Sequence, residues 1–102
     1  MRSRLLLFGG LDPSGGAGLT VDVAVADACG AEGLPVAVAL TVQNRRGFAN
    51  WSPVATAQWR AAAAAQLDDA AVDVIKVGFV GDAQAVRDLA AFVRERAPAA
   101  PL

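Results

Sequence analysis

Ten residues constrain this chain more than any others: Gly9-Gly10-Leu11-Asp12-Pro13-Ser14-Gly15-Gly16-Ala17-Gly18. Five are glycines, and a proline, a carboxylate and a hydroxyl stand among them. The apolar run Leu5-Leu6-Leu7-Phe8 feeds into this stretch, and an alanine- and valine-rich segment from Leu19 to Ala31 leaves it. The pattern reads as strand, glycine-rich loop, helix. Such a loop lets main chain approach a ligand closely. Asp12-Pro13 is a turn signal, and Ser14 is a candidate cap for the helix that follows.

The rest of the chain repeats the alternation. Arg4 to Phe8 reads as a strand buried on both faces. Gly30 and Gly33 end the first helical segment, whose apolar face carries Leu19, Val23, Ala26 and Cys29. Leu34 to Gln43 is the second strand, with Val36, Val38, Leu40 and Val42 alternating with smaller residues. Asn44 to Ser52 reads as a loop. Ser52-Pro53 has the form of a helix start, a hydroxyl cap followed by proline, and that helix is expected to run to about Ala70. Val72 to Gly78 is the third strand. Asp82 caps a third helix carrying Val86, Leu89, Ala90 and Val93 at helical spacing, ended by Pro98 and Pro101. The order is βαβαβα, which predicts an α/β fold with a parallel sheet and right-handed crossovers. Ligands of such sheets bind at the carboxyl ends of the strands. Here those ends are the glycine-rich loop, Gln43-Asn44 and Gly78-Phe79-Val80-Gly81.

Composition narrows the chemistry. A length of 102 residues allows one domain at most. Net charge is −1, with no basic stripe and few aromatics, which argues against nucleic acid. The absence of histidine removes the commonest general base and metal ligand, so neither a triad hydrolase nor a zinc site is expected. The single cysteine, Cys29, excludes an internal disulfide and reads as a helix core residue. The apolar run after Met1-Arg2-Ser3-Arg4 is too short for a signal peptide, and no run approaches the ~20 residues of a membrane span. A cytoplasmic protein with no membrane partner is expected.

The glycine-rich loop does not match the common nucleotide fingerprints. Gly10 and Gly15 have Walker A spacing, but Gly16-Ala17 stands where Lys-Ser/Thr is needed. The loop carries Asp12 and no cation, so a small, largely uncharged polar ligand suits it better than a triphosphate. Read without a ligand, it is a tight strand-to-helix turn. Gln43 ends an otherwise apolar strand, and its carboxamide offers a donor and an acceptor to the edge of an amino-heterocycle; alternatively it satisfies loop backbone. Asp22, one turn into the first helix, suits a substrate hydroxyl or simply solvent. Lys76 lies inside an apolar strand and needs a carboxylate partner or an exit to the sheet edge. Trp51 and Trp59 read as core residues.

Three segments together resemble one family. "GLDPSGGAGLTVD", "ALTVQN" and "VDVIKVGFVG" are similar, in order and spacing, to signatures of the hydroxymethylpyrimidine/phosphomethylpyrimidine kinases of thiamin biosynthesis, which belong to the ribokinase-like superfamily. The resemblance runs from Leu5 to about Val93. It implies a three-layer ribokinase-like α/β fold, with ATP and Mg2+ as cofactors and an aminopyrimidine alcohol, then its monophosphate, as acceptors. By position it implies substrate-binding roles for Gln43 at the pyrimidine edge, for Asp22, Gly10, Asp12, Gly16 and Gly18 around the hydroxymethyl end, and for Phe79 as an apolar wall. Leu11 and Arg45-Arg46-Gly47-Phe48 depart from the family pattern. The family's catalytic residue and most of its ATP site lie in a later half with no counterpart here. Residues 1–102 are therefore expected to be the N-terminal, substrate-binding portion of a truncated kinase domain, marginally stable with an uncovered sheet edge and prone to form a homodimer. The rival expectations are a catalytically silent pyrimidine-binding module and a pyridoxal-type vitamer kinase.

Overall fold

The computed structural model describes residues 2–97, 100 and 101. Its elements run β1 (Arg4–Leu11), α1 (Gly18–Ala28), β2 (Glu32–Asn44), β3 (Gly47–Pro53), α2 (Thr56–Asp69), β4 (Val74–Val77) and α3 (Ala83–Arg96). The sheet order is β3-β2-β1-β4. β1 pairs in parallel with β2 on one side and with β4 on the other. The chain thus crosses over in opposite directions from its first strand, and this sends helices to both faces of the sheet. The result is a three-layer α/β/α arrangement, as the family resemblance implies, around the three parallel strands that the alternation of elements predicts.

One face holds the main core. Leu6 and Phe8 of β1, Val36 and Val38 of β2 and Ile75 of β4 meet Trp59 and Ala63 of α2 and Leu89 and Phe92 of α3. Phe8, Trp59 and Phe92 form a closed edge-to-face triangle, with ring centroids 5.8 to 6.1 Å apart. Each of these rings is almost fully buried, and burial of one contributes on the order of 1.5–3 kcal/mol. The other face is shallower and is covered by α1, whose Leu19 and Ala26 are buried. Small residues let that helix sit close. A Cβ at Gly33 would lie 3.3 Å from the Val23 Cα. Arg4 ties the start of β1 to the approach to β4, donating to the Ala70 and Ala71 carbonyls while its backbone N–H donates to the Asp73 carboxylate.

The structure corrects several expectations. Residues Asn44 to Ser52 are not a loop. β2 turns through Arg45-Arg46 into β3, which runs antiparallel beside it, so the sheet is mixed and one edge of the parallel core is covered. Ser52-Pro53 does not start a helix. Both residues end β3, where Pro53 stands opposite Ala39 on the outer strand, a position that tolerates a missing N–H. α2 begins at Thr56 behind Ala55. Ser14 does not cap α1; the N-cap is Ala17, without a side-chain bond. Asp82 does cap α3, accepting from the Ala85 N–H at 2.9 Å. Cys29 caps the end of α1 and is exposed rather than in the core. Pro98, the expected helix stop, lies outside the described residues, but α3 ends before it at Arg96. Among the described residues no helix is long and apolar enough to cross a membrane.

Candidate functional site

The site begins with two irregularities in the sheet. Along β1 and β2 the register moves from Gly9↔Ala37 to Gly10↔Ala39, leaving Val38 as an extra residue. An extra residue in one strand reverses which side chains face which way beyond it. Past this bulge Thr41 turns toward Gly10, where a Cβ would meet its Cγ2 at 3.6 Å. Gln43, two residues on, shares that face, while Leu40 and Val42 are left exposed. A second shift, from Val42↔Asn50 to Gln43↔Phe48, leaves Ala49 extra in β3. Phe48 and Trp51 are three residues apart, yet they stand opposite Gln43 and Thr41 and join them on one face.

Two connections complete the site. After β1 the chain folds around the Asp12 carboxylate. Asp12 Oδ1 accepts from the Ser14 backbone N–H (2.8 Å) and hydroxyl (2.5 Å), and Oδ2 accepts from the Gly16 N–H (3.2 Å). Asp12 is buried, and burial alone would raise its pKa. The Ser14 hydroxyl, joined by backbone amides of the loop, outweighs this and holds the carboxylate below its ordinary range. Gly18 then starts α1 at φ +67°, pairing with Leu11 across the loop. Any Cβ there would run into the Gly10 carbonyl oxygen, so this turn requires glycine. The second connection follows β4. The Gly78 N–H donates to the Phe8 carbonyl at 2.8 Å, which extends the β1 contact and sets Phe79 over Gly10. A Cβ at Gly10 would lie 3.1 Å from the Phe79 ring.

Between these parts lies a cavity of about 370 Å³, lined by Gly10, Asp12, Ala17, Gly18, Thr41, Gln43, Phe48 and Phe79. That volume lies at the small end of ligand pockets and accommodates one ring with short substituents. Phe48 and Phe79 meet edge to face at 6.3 Å and form an aromatic corner. The polar edge is a relay: Gln43 Nε2 donates to Thr41 Oγ1 and the Thr41 hydroxyl donates to the Leu11 carbonyl, both at 2.7 Å. With one amide N–H so engaged, the carboxamide's second N–H and its carbonyl oxygen are the groups a ligand edge can meet. Asp12 is the one charged residue of the lining, and its oxygens already serve the loop.

Five of the residues expected at the site are thus brought together: Gly10, Asp12, Gly18, Gln43 and Phe79. Two stand apart from that lining. Gly16 sits behind Asp12, where its amide supports the carboxylate. Asp22 points away to Lys76, whose Nζ donates to Asp22 Oδ1 at 2.7 Å, so the strand lysine has the carboxylate partner it needed. Sequence reasoning missed Thr41 and the wall formed by Phe48. Thr41 carried a signal, since it lies two residues before Gln43 on a strand. Phe48 carried little, because its strand looks like a polar loop.

The comparisons with known proteins give the family and the fold. A family model described as phosphomethylpyrimidine kinase matches residues 12–102. The hydroxymethylpyrimidine/phosphomethylpyrimidine kinase of Escherichia coli (strain K12) is 36% identical over 93 residues, a match that takes in 87% of this chain and 34% of that protein. The crystal structure of a phosphomethylpyrimidine kinase from Clostridium difficile 630 superposes with a TM-score of 0.87 at 24% identity, over 93% of this chain and 41% of that one. A Bacillus subtilis pyridoxal kinase, solved as an ADP complex, superposes with a TM-score of 0.82 at 23% identity, over 94% of this chain and 38% of that one. At those identities the two superpositions show a shared fold. The chain spans between 13% and 34% of the length of four curated relatives that it matches.

Proposed function

The chain belongs to the phosphomethylpyrimidine kinase family, and on that premise we propose that it supplies the acceptor pocket for ATP-dependent phosphorylation of 4-amino-5-hydroxymethyl-2-methylpyrimidine and its monophosphate in thiamin biosynthesis. The observation that carries this reading is the make-up of the cavity at the carboxyl end of β1. An aromatic corner of Phe48 and Phe79 faces a carboxamide edge from Gln43, held by Thr41. A flat amino-heterocycle matches both: its ring against the aromatic side chains, its ring nitrogen and amino group against the carboxamide donor and acceptor. The hydroxymethyl group would then lie toward Gly10, Gly18 and the Asp12 loop. Asp12 acts by keeping the loop's amides in place. Asp22, paired with Lys76 beside the first turn of α1, would border that end from outside the lining.

In this reading the donor's phosphates lie outside this cavity. Gly16-Ala17 stands where a triphosphate loop carries Lys-Ser/Thr, and the cavity's one charge is a carboxylate. Among the described residues there is no cluster of three His, Cys, Asp or Glu side chains that could hold a metal ion. In this reading the groups that bind ATP and Mg2+ and activate the alcohol are assigned to none of these residues. What this chain does is bind the acceptor, orient its alcohol at the loop and exclude water with the two phenyl rings. The same aromatic corner admits a pyridine ring, which keeps a pyridoxal-type acceptor as the second reading. A small-molecule substrate, a cytoplasmic setting and no nucleic-acid or membrane partner belong to this reading; the exposed lone Cys29 suits a reducing compartment.

Calorimetric titration of the chain with the aminopyrimidine alcohol tests the proposal, with pyridoxal as competitor and Mg-ATP added to follow turnover. Saturable binding is expected, and Gln43→Ala should weaken it by about tenfold or more, since the carboxamide makes two hydrogen bonds to the ring edge. Unchanged affinity in Gln43→Ala removes that residue from the site. Preferential displacement by pyridoxal moves the reading to the vitamer.

A further inference from the structure

Phe79 forms a wall of the cavity from an unusual position. It belongs to no helix or strand, the residue is 46% exposed, and it follows the short strand β4. A ring so placed needs a partner to hold one orientation, and β3 supplies it. The Trp51 indole stands 5.8 Å from the Phe79 ring at 88°, an edge-to-face contact close to ideal. Trp51 does not line the cavity, so it acts there through its neighbours, of which Phe79 is the one its indole meets edge to face.

The far side of the indole is also specified. A Cβ built at Gly81 would fall within 3.0 Å of Trp51 Cε3 and closer still to Cζ3 and Cη2. The missing side chain of Gly81 is the space the indole occupies. Trp51 in turn is fixed from behind, because its backbone pairs with Thr41, the residue that anchors Gln43. The aromatic wall and the polar edge of the cavity thus share one strand pair.

We infer that Trp51 is a positioning residue for the pocket, holding the Phe79 ring in its binding orientation through an edge-to-face contact that Gly81 leaves room for. This rests on reading the cavity as an aminopyrimidine acceptor site, and it adds a residue that the cavity lining does not include. The hairpin is more than a cover: β3 fixes the wall that β4 delivers.

The experiment has one arm with ligand and one without, both on the 102-residue chain. Without ligand, NMR of the Phe79 ring and of the Gly81 α-protons reads the contact directly. In the wild type the indole's ring current should displace the Gly81 signals. Trp51→Ala should abolish that shift and move the Phe79 resonances, while those of the buried Trp59 stay in place. With the aminopyrimidine alcohol, Trp51→Ala should weaken binding by up to about tenfold, the worth of one good aromatic pair. Trp51→Phe should recover most of the affinity. In a Phe79→Ala background, Trp51→Ala should add almost nothing. Additive effects of the two substitutions, or unmoved Phe79 resonances in Trp51→Ala, overturn the inference. If the wild type fails to bind the alcohol, the acceptor reading falls by itself, and the ligand-free arm still decides whether Trp51 holds Phe79.

Discussion

Gly18→Ala tests how the pocket is built, and Gly30→Ala is its internal control. Both glycines have left-handed backbone, with φ +67° and +80°. An alanine in that region costs about 1–2 kcal/mol. At Gly30 nothing lies within 4 Å of the added Cβ, so that is the whole expected cost. At Gly18 the Cβ meets the Gly10 carbonyl oxygen, which is backbone and cannot rotate away. Relief requires moving β1 at the pocket floor or the start of α1, and such overpacking costs about 1–3 kcal/mol more. Both substitutions reduce unfolded-chain entropy alike, so that contribution cancels in the comparison. Gly18→Ala should therefore lose about 2–5 kcal/mol, a large part of the roughly 5–15 kcal/mol typical of a domain. In thermal melts its midpoint should lie at least about 5 °C below that of Gly30→Ala. Equal midpoints would refute the claim that contact across the loop, rather than backbone handedness alone, demands glycine at this position.

Asp12→Asn should destabilise the chain at neutral pH, by an amount that shrinks in acid. Because the folded carboxyl titrates lower than usual, its contribution is complete above the ordinary carboxylate pKa of about 4 and is lost as pH falls through the folded value. Denaturant midpoints of both chains from pH 7 to pH 2.5 would show the two curves converging; a constant gap contradicts the assignment. Lys76→Met should cost on the order of 1 kcal/mol, because the Lys76 side chain is 54% exposed and water screens the pair, while the Asp22 side chain, only 15% exposed, loses its partner. A loss that is large and insensitive to salt would mean the pair does more than the exposed geometry allows. Asp22→Asn, assayed for binding of the aminopyrimidine alcohol, should leave affinity within about threefold of wild type if Asp22 only borders the pocket; a tenfold loss would place it in direct contact.

Much of the site is legible in the chain itself because its determinants are local. Glycine clustering marks where β1 ends, and the carboxylate that organises the loop lies two residues from its hydroxyl partner. The alternation of apolar strands with helices gives the three parallel strands and puts Gly10, Gln43 and Phe79 at carboxyl ends on one side of the sheet. What escapes is whatever depends on pairing. β3 is exposed along nearly all its length, so it lacks the apolar alternation that signals a strand, and Pro53 imitates a helix start. Its existence rests on hydrogen bonds to β2, which no local pattern encodes.

The division has a physical cause. Composition and periodicity give the three parallel strands and the three helices but not β3, and they read the first loop as unsuited to a triphosphate. Which side chains meet depends on register, and a single extra residue reverses a strand's facing. The bulge at Val38 turns Thr41 and Gln43, rather than Leu40 and Val42, toward Gly10. The bulge at Ala49 places Phe48 and Trp51 on that same face, beside Phe79 from across the sheet. The chain supplies the ring and the carboxamide, and only the paired strands decide that they face one cavity.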